Sequence, residues 1–504
     1  MSGWKLAWGA ARGYARTSAS VSRGLNGSLD QMRHERVPRN VVNRGYLAPG
    51  DPPLPPGADL MDYSGLDDPR TIRNAVGTRQ GITIGAVIDL QSGVPTGAYR
   101  LPLERFFQHL AVVAPPGKGK TYSVIAPLAV RLLRAGVTVV ALDVTGNLLN
   151  EIKEFSAGSS QGLQVPLHHW STDESRGRHS WNPLQGLESG DLTAIEGIKT
   201  SILGSEPADP SHRFFFDREN RILGAVLRLV STAFAEPTLT NLVELLVTRD
   251  VLRDVLSSPR HRSEQLELHD YLSASDEDAA AMVSDTLSRL SPFLQPQIAA
   301  QVNRSDFTIE RALQRPSLVI VGAELDLGRR SEMAASMFVN RLSAVLARRY
   351  GSQDGVPVVI LMDEAPVLAR RINLSNLLAT ARAARAGVVL AAQMVTQMGD
   401  ADTRSNIFDA CDALLVLPGA SAQSVELFKS RLGRRMRVIR DVTHQYGERR
   451  GSVTHRQDEI DVLGNREIMS PPFGMYPAFI HSRSDGLSAV ALELDRYVVN
   501  SADA

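Results

Sequence analysis

Residues 114 to 121 read APPGKGKT, which is the GxxxxGK[ST] pattern with Ala114 in place of its first glycine. An apolar run, HLAVVAPP from 109, comes before it, and a stretch with helical spacing, TYSVIAPLAVRLLRAG, follows it. A strand, a glycine-rich turn and a helix in that order aim backbone N–H groups and a helix N-terminus at one point. Such a point attracts phosphate, and the surrounding fold must be a parallel α/β layer. The loop Ala114, Pro115, Pro116, Gly117, Lys118, Gly119, Lys120, Thr121, Tyr122 is therefore expected to line a nucleotide. Lys120 would reach the β and γ phosphates, and Thr121 would offer its hydroxyl to Mg²⁺. An alanine at 114 is acceptable provided the backbone there stays in an allowed region.

Strand-like runs recur along the chain. VTVVALD follows the first helix, and SLVIVGAEL at 317–325, VPVVILMD at 356–363, GVVLAAQ at 387–393 and DALLVLPG at 412–419 come later. They alternate with helical stretches, as a doubly wound sheet requires. Between them, 187–305 is helical in spacing, with FFFDRENRILGAVLRLVSTAF and TLTNLVELLVT and few β-branched runs. The expected organisation is a tail and proline-rich linker over 1–60, a first α/β part over 61–186, an all-α insertion over 187–305, and a second α/β part over 306–504. The linker is placed by LAPGDPPLPPGA at 47–58.

The run VPVVILMDE places two acids at the carboxyl end of a buried strand, where ligands of open α/β sheets bind. Asp363 is expected to hold Mg²⁺ or its water shell, and Glu364 to orient or deprotonate an attacking water. Gln393 ends another strand and could report on the γ phosphate to the MVTQM segment after it, or could simply cap a turn. Arg382 and Arg385 precede that strand. Each is a candidate for an arginine supplied across a subunit boundary, or part of a solvated helix face.

The charges cancel, with 55 Lys plus Arg against 55 Asp plus Glu, so no global field recruits a polyanion and any such site must be local. Between 429 and 450 there are eight cations, with Asp441 and Glu448 opposing them. Arg434, Arg435, Arg437 and Arg440 in this segment are candidates for sequence-independent contacts to nucleic-acid phosphates, or for a charged face between subunits. The first 23 residues carry Lys5, Arg12, Arg16 and Arg23 among Trp4, Trp8 and Tyr14, and read as a frayed tail or a strip along an anionic surface. With one cysteine, Cys411, and no long apolar run, the chain is expected in the reducing cytoplasm, soluble or peripherally attached. His168 and His169 lack acidic or thiol partners at ligand spacing, so no metal beyond Mg²⁺ is assigned, and nothing indicates a covalent nucleophile.

Several segments together resemble the TraG-like coupling proteins of type IV secretion and conjugation. WNPL at 181–184 is similar to the NPL after that family's third strand, and FFFDRENRILGAVLRLV to the first helix of its all-α domain. DEAPVLARR, ATARAARAGVVLAAQMVTQM and SNIFDACDALLVLPG resemble its second carboxylate motif, glutamine motif and following strand. The resemblance covers roughly residues 105–480. It implies a RecA-like P-loop ATPase with a mostly parallel sheet, interrupted by an all-α insertion and using ATP and Mg²⁺. It also implies a homo-hexameric ring with sites at subunit interfaces. The implied partners are DNA, a relaxase or other secreted protein, and the type IV secretion machinery. Family members often carry N-terminal transmembrane helices, absent here, so contact with the inner face of the bacterial cell membrane would be peripheral. DVTGN at 143–147 stands where the family usually has an Asp, Lys, Gly, Glu pattern. The same chemistry would also serve a soluble FtsK- or HerA-like DNA-pumping ATPase in genome processing or defence, or a nucleotide-gated adaptor for protein cargo.

Overall fold

The computed structural model describes residues 80–495 except 90–93, 158–163, 189, 208, 351–354, 370, 444–451 and 470–477. The basic aromatic tail and the proline-rich linker lie outside the described residues.

Short apolar runs become strands buried on both faces, joined at the sheet edge by LHHW, which is half-buried at its start. They are β3 (Leu110–Val113), β4 (Thr138–Asp143), β5 (Leu167–Trp170), β6 (Leu318–Gly322), β7 (Val358–Met362), β8 (Ala386–Ala392) and β9 (Ala413–Val416). These seven are mutually parallel in the order β9-β3-β8-β7-β4-β6-β5. Alternate side chains go to opposite faces. Val140, Leu142, Val319, Val321, Ile360 and Met362 join one apolar core, and Val139, Ala141, Leu318, Ile320, Val359 and Leu361 join the other.

Four antiparallel strands extend the sheet beyond β9, an extension the sequence reading did not anticipate. They are β1 (Ile82–Asp89), β2 (Val94–Leu101), β12 (Ala478–Ser482) and β13 (Val490–Glu493), in the order β2-β1-β13-β12-β9. A second, two-stranded sheet pairs β10 (Arg434–Thr443) with β11 (Ser452–Asp461).

Between β5 and β6 the chain is helical from Leu192 to Ala312, so the helices run seven residues past the boundary expected at 305. Side-chain caps hold the starts of helices within this stretch. Asp191 accepts from Ala194 N–H, and Thr238 and Asn241 form a reciprocal capping box ahead of the helix Leu239–Val247. The WNPL segment ties a loop in the middle of the insertion to a loop near its end. Asn182 donates from Nδ2 to the Pro237 carbonyl at 2.8 Å, and its own N–H donates to Ser305 Oγ at 2.8 Å. Trp181 packs edge-on against Trp170 and against Phe338.

Among the described residues, no helix is long and apolar enough to cross a membrane. Cys411 is buried, and burial pushes its thiol up to about 12, so it remains protonated.

Candidate functional site

The strand order decides the site. Because β3, β8, β7 and β4 lie side by side and parallel, everything that follows them emerges at one edge of the sheet. The loop 114–120 follows β3, Gln393 follows β8, Asp363 and Glu364 follow β7, and Asp143 ends β4. Gln393, half-buried, is therefore placed on the strand between the loop and the two acids.

Within the loop, Gly117 and Gly119 have φ of 70° and 74°, a left-handed region that costs other residues energy. Ala114 is not among the left-handed residues, is fully buried, and donates its N–H to the Ala392 carbonyl at 3.1 Å. The methyl in place of the usual glycine hydrogen thus sits on ordinary strand-end backbone. Pro115 and Lys118 lie against Gly419 in the loop after β9, where a Cβ would stand 3.3 Å from Pro115 Cγ. Pro115 is half-buried, and Pro116 and Tyr122 are exposed on the surface.

After the loop the first turn is a π-helix, Thr121–Ile125, followed by the α-helix Ala126–Arg134. Ala126 N–H reaches back five residues to the Thr121 carbonyl. Pro127 supplies the cause. It has no N–H for the Ser123 carbonyl, and its ring would collide with that carbonyl in a regular α-turn. A wide turn relieves the collision, and π-turns of this kind cluster at functional sites.

The loop and the end of β7 close on each other through four side chains, Lys120 and Thr121 from one and Asp363 and Glu364 from the other. Lys120 Nζ donates to Glu364 Oε2 at 2.9 Å and to the Asp363 carbonyl, and lies 3.7 Å from Asp363 Oδ1. Thr121 Oγ1 donates to Asp363 Oδ2 at 2.9 Å. Asp363 is 3% exposed, and its Oδ1 is buried with no hydrogen-bond partner. Burial pushes the Asp363 carboxyl up, against the opposing pull of the Lys120 ammonium and the Thr121 hydroxyl. An acceptor oxygen left unpaired at that depth, beside a threonine hydroxyl, is the donor set a hard divalent cation takes. Thr121 and Asp363 therefore fit Mg²⁺.

Two acids in the site escaped the sequence reading. Asp143 accepts from the N–H groups of Thr145 (3.0 Å), Gly146 (2.8 Å) and Leu148 (3.0 Å), so it shapes the DVTGN turn and caps the helix Leu148–Ala157. Its signal was available, since VTVVALD ends in an acid just as VPVVILMD does. Glu151 is 7% exposed inside that helix and had no sequence signal, because nothing in the sequence says which way a helix turns its acids.

Arg382 and Arg385 do not join this site. Both are exposed and stand just ahead of β8, whose seven residues put them roughly 20 Å along the strand from Gln393. Arg385 has a φ of 53°, and its guanidinium lies over the Phe107 ring at 5.8 Å.

The basic segment is less basic in space than in sequence. The register of β10 with β11 sets Asp461 opposite Arg434, Glu459 opposite Met436 and Asp458 opposite Arg437. Arg434 lies 3.6 Å from Asp461 and 3.7 Å from Glu459, and Lys429 lies 2.7 Å from Asp461. Three acids from outside the 429–450 window thus stand across from the base of the arginine strand, while Arg435 is opposite Ile460. The eight-to-two charge ratio read along the chain does not hold there. The side chains of Arg437 and Arg440, like residues 449 and 450, lie outside the described residues.

A family model described as "Type IV secretory system Conjugative DNA transfer" matches residues 68–460. Two proteins named conjugal transfer protein TraG, both from Escherichia coli, are each 22% identical to this chain. One aligns over 353 residues, which is 64% of this chain and 54% of that protein. The other aligns over 434 residues, 77% of this chain and 66% of that protein, so in both cases the chain spans less than two thirds of its relative. Among solved structures, the unbound bacterial conjugative coupling protein TrwBdeltaN70 has a TM-score of 0.61 at 16% identity, covering 86% of this chain and 93% of that one. The plasmid coupling protein TrwB in complex with the non-hydrolysable ATP analogue ADPNP has a TM-score of 0.60 at 16% identity, covering 86% and 94%. TrwB in complex with ADP and Mg²⁺ has a TM-score of 0.58 at 16% identity, covering 85% and 92%. With the fold of TrwB, a RecA-like P-loop sheet interrupted by helices, and a family match over most of its length, this chain belongs to the type IV secretory system conjugative DNA transfer family.

Proposed function

We propose that this chain is an ATP-driven coupling protein that takes up DNA, or DNA with a bound protein, and moves it toward a type IV secretion channel. One observation carries the reading: Lys120 is clamped between Glu364 and the Asp363 carbonyl at the edge where the phosphate loop, Gln393 and both acids converge. The lysine is held in place for a phosphate, and the carboxylate it holds is the one suited to activate water. The TrwB complexes with ADPNP and with ADP and Mg²⁺ support the choice of ATP and Mg²⁺ as ligands.

On this reading nucleotide phosphates compete for the Lys120 ammonium and draw it away from Glu364. Freed of its ion pair, Glu364 becomes a stronger hydrogen-bond acceptor and can orient or deprotonate the attacking water. Thr121 and Asp363 would hold Mg²⁺, which supplies charge neutralisation to the phosphates. Gln393, on the strand between loop and acids, is placed to sense whether the terminal phosphate is present. Arg382 and Arg385 lie too far along β8 to serve their own site and could act only on a neighbouring subunit's nucleotide, as in a homo-hexameric ring. A relaxase or another exported protein, and the secretion machinery, complete the proposed set of partners.

The test is ATP hydrolysis by the purified chain with and without single- and double-stranded DNA across a salt series, with Glu364→Gln as control. Salt-sensitive stimulation by DNA, lost in Glu364→Gln, is the expected result. Hydrolysis indifferent to DNA at every salt concentration would refute the DNA-coupling part, and absence of hydrolysis would refute the ATPase part.

A further inference from the structure

The helix Leu148–Ala157 starts at the Asp143 cap and packs beside the π-turn that carries Thr121. Glu151 lies in its first turn and is 93% buried by the complement of its 7% exposure. A carboxylate at such depth ordinarily has a cation or several donors around it. Glu151 has one weak donor: Asn147 Nδ2 stands 3.4 Å from its Oε1. Its Oε2 is buried with no hydrogen-bond partner. No arginine or lysine of the described residues forms an ion pair with it.

Its electrostatic surroundings make the position more expensive still. Burial, followed by the negative charge of Asp363 and then of Asp143, drives the Glu151 carboxyl up to about 7. Asp363 Oδ1 is likewise buried without a hydrogen bond, with the Lys120 ammonium 3.7 Å away as its counter-charge. Glu151, which feels the charge of Asp363, thus stands on the helix beside the Thr121 turn with an oxygen that has no partner among the described residues. A helix interior at this point would be more stable with a methionine or leucine, because an unpaired buried carboxyl adds cost and no contact.

We infer that Glu151 is a positioning residue for the magnesium ion: its unpartnered Oε2 accepts a hydrogen bond from the ion's water shell, while Thr121 and Asp363 hold the ion itself. This rests on the ATP and Mg²⁺ reading of the site. A hydrated Mg²⁺ keeps several waters, and those waters need acceptors in a buried cleft. Residues in this outer layer set metal affinity nearly as strongly as the ligands do. The Asn147 amide takes up Oε1 and leaves Oε2 as the oxygen open to such a water.

The experiment is displacement of a fluorescent ADP analogue from the full chain, titrated with MgCl₂ from an EDTA baseline, alongside thermal unfolding without nucleotide. Wild type is compared with Glu151→Met and Glu151→Gln. In Glu151→Met the Mg²⁺ concentration giving half-maximal strengthening of ADP binding should rise about tenfold or more, with affinity in EDTA unchanged. Its melting temperature at pH 8 should equal or exceed that of wild type. Glu151→Gln, which keeps one acceptor, should move the same way by roughly threefold, and serves if the methionine variant does not fold. A Mg²⁺ midpoint within twofold of wild type, or a fall in melting temperature with unchanged Mg²⁺ dependence, would overturn the assignment in favour of a structural acid. Wild type that binds ADP with no response to Mg²⁺, or binds no ADP, would instead sink the nucleotide reading on which it rests.

Discussion

Replacing Lys120 by alanine should weaken the nucleotide-free protein, not only its catalysis. The Lys120 side chain is 11% exposed and its partners Asp363 and Glu364 are 4% and 9% exposed, so the ion pairs are shielded from water. Removing one member of a buried ion pair leaves the other charge uncompensated, a loss of about 3–5 kcal/mol. Here two acids lose the same cation, with Glu151 adding negative charge nearby. We expect about 3 kcal/mol at pH 8, the lower end, because Asp363 can take a proton and shed part of the penalty. The sign with pH follows. Asp363 already has a raised carboxyl, and removing Lys120 raises it further, so protonation relieves the variant as pH falls. The difference from wild type should shrink as pH is lowered from 8 to 5.5. Urea unfolding without nucleotide, followed by the fluorescence of buried Trp170 and Trp181, measures it. The double variant Lys120→Ala with Glu364→Gln should recover roughly 1–2 kcal/mol, since it removes one orphaned charge. If Lys120→Ala lies within ~0.5 kcal/mol of wild type at both pH values, the lysine is not bound to these carboxylates without nucleotide. The proposed release of Glu364 would then have no basis.

Three further outcomes follow from the packing. His109 accepts from Val388 N–H at Nδ1 (3.1 Å) and donates from Nε2 to the Leu378 carbonyl (2.9 Å), and burial drives it down to about 4. The unfolded chain therefore binds the extra proton first, so stability is full above pH 6.5 and falls as pH drops through 6.5 toward 4, by roughly 3 kcal/mol in all; the urea midpoint of His109→Gln should lack this part of the wild-type pH slope. A Cβ at Gly387 would stand 2.5 Å from the Phe106 carbonyl oxygen, so Gly387→Ala forces β8 away from the Leu103–Phe106 turn and should lower stability by ~2 kcal/mol or more in the same assay. Arg371 pairs with Glu332 at 3.0 Å and donates to the Ser201 carbonyl at 2.7 Å, joining the segment after β7 to the helical insertion. In Arg371→Met, limited proteolysis should cut the helices 192–312 at least several-fold faster while the Mg²⁺ dependence of ADP binding stays put; equal rates would show that the arginine does not hold the insertion.

Local chemistry in the chain was enough to place the glycine-rich loop after β3, the acids at the end of β7, the buried parallel strands and the helical run between them. Each depends on residues adjacent in sequence: glycines that take left-handed φ, a lysine and threonine at fixed offsets, and apolar runs closed by an acid. The FFFDRENRILGAVLRLV and WNPL segments likewise carried the family resemblance without any structure. Other features belong to the tertiary structure, because they are set by which elements become neighbours. The order β3-β8-β7-β4 put Gln393 between loop and acids, and no local pattern encodes strand order. The turn of the helix Leu148–Ala157 brought Glu151 inward, and Pro127 opened the π-turn through a carbonyl four residues upstream. The register of β10 against β11 set Asp458, Glu459 and Asp461 across from the base of an arginine run that had only Asp441 and Glu448 against it along the chain. Residue type and spacing determine the chemistry a segment can offer. Charge balance, burial and reach are properties of pairs distant in sequence, so only the packed fold decided them.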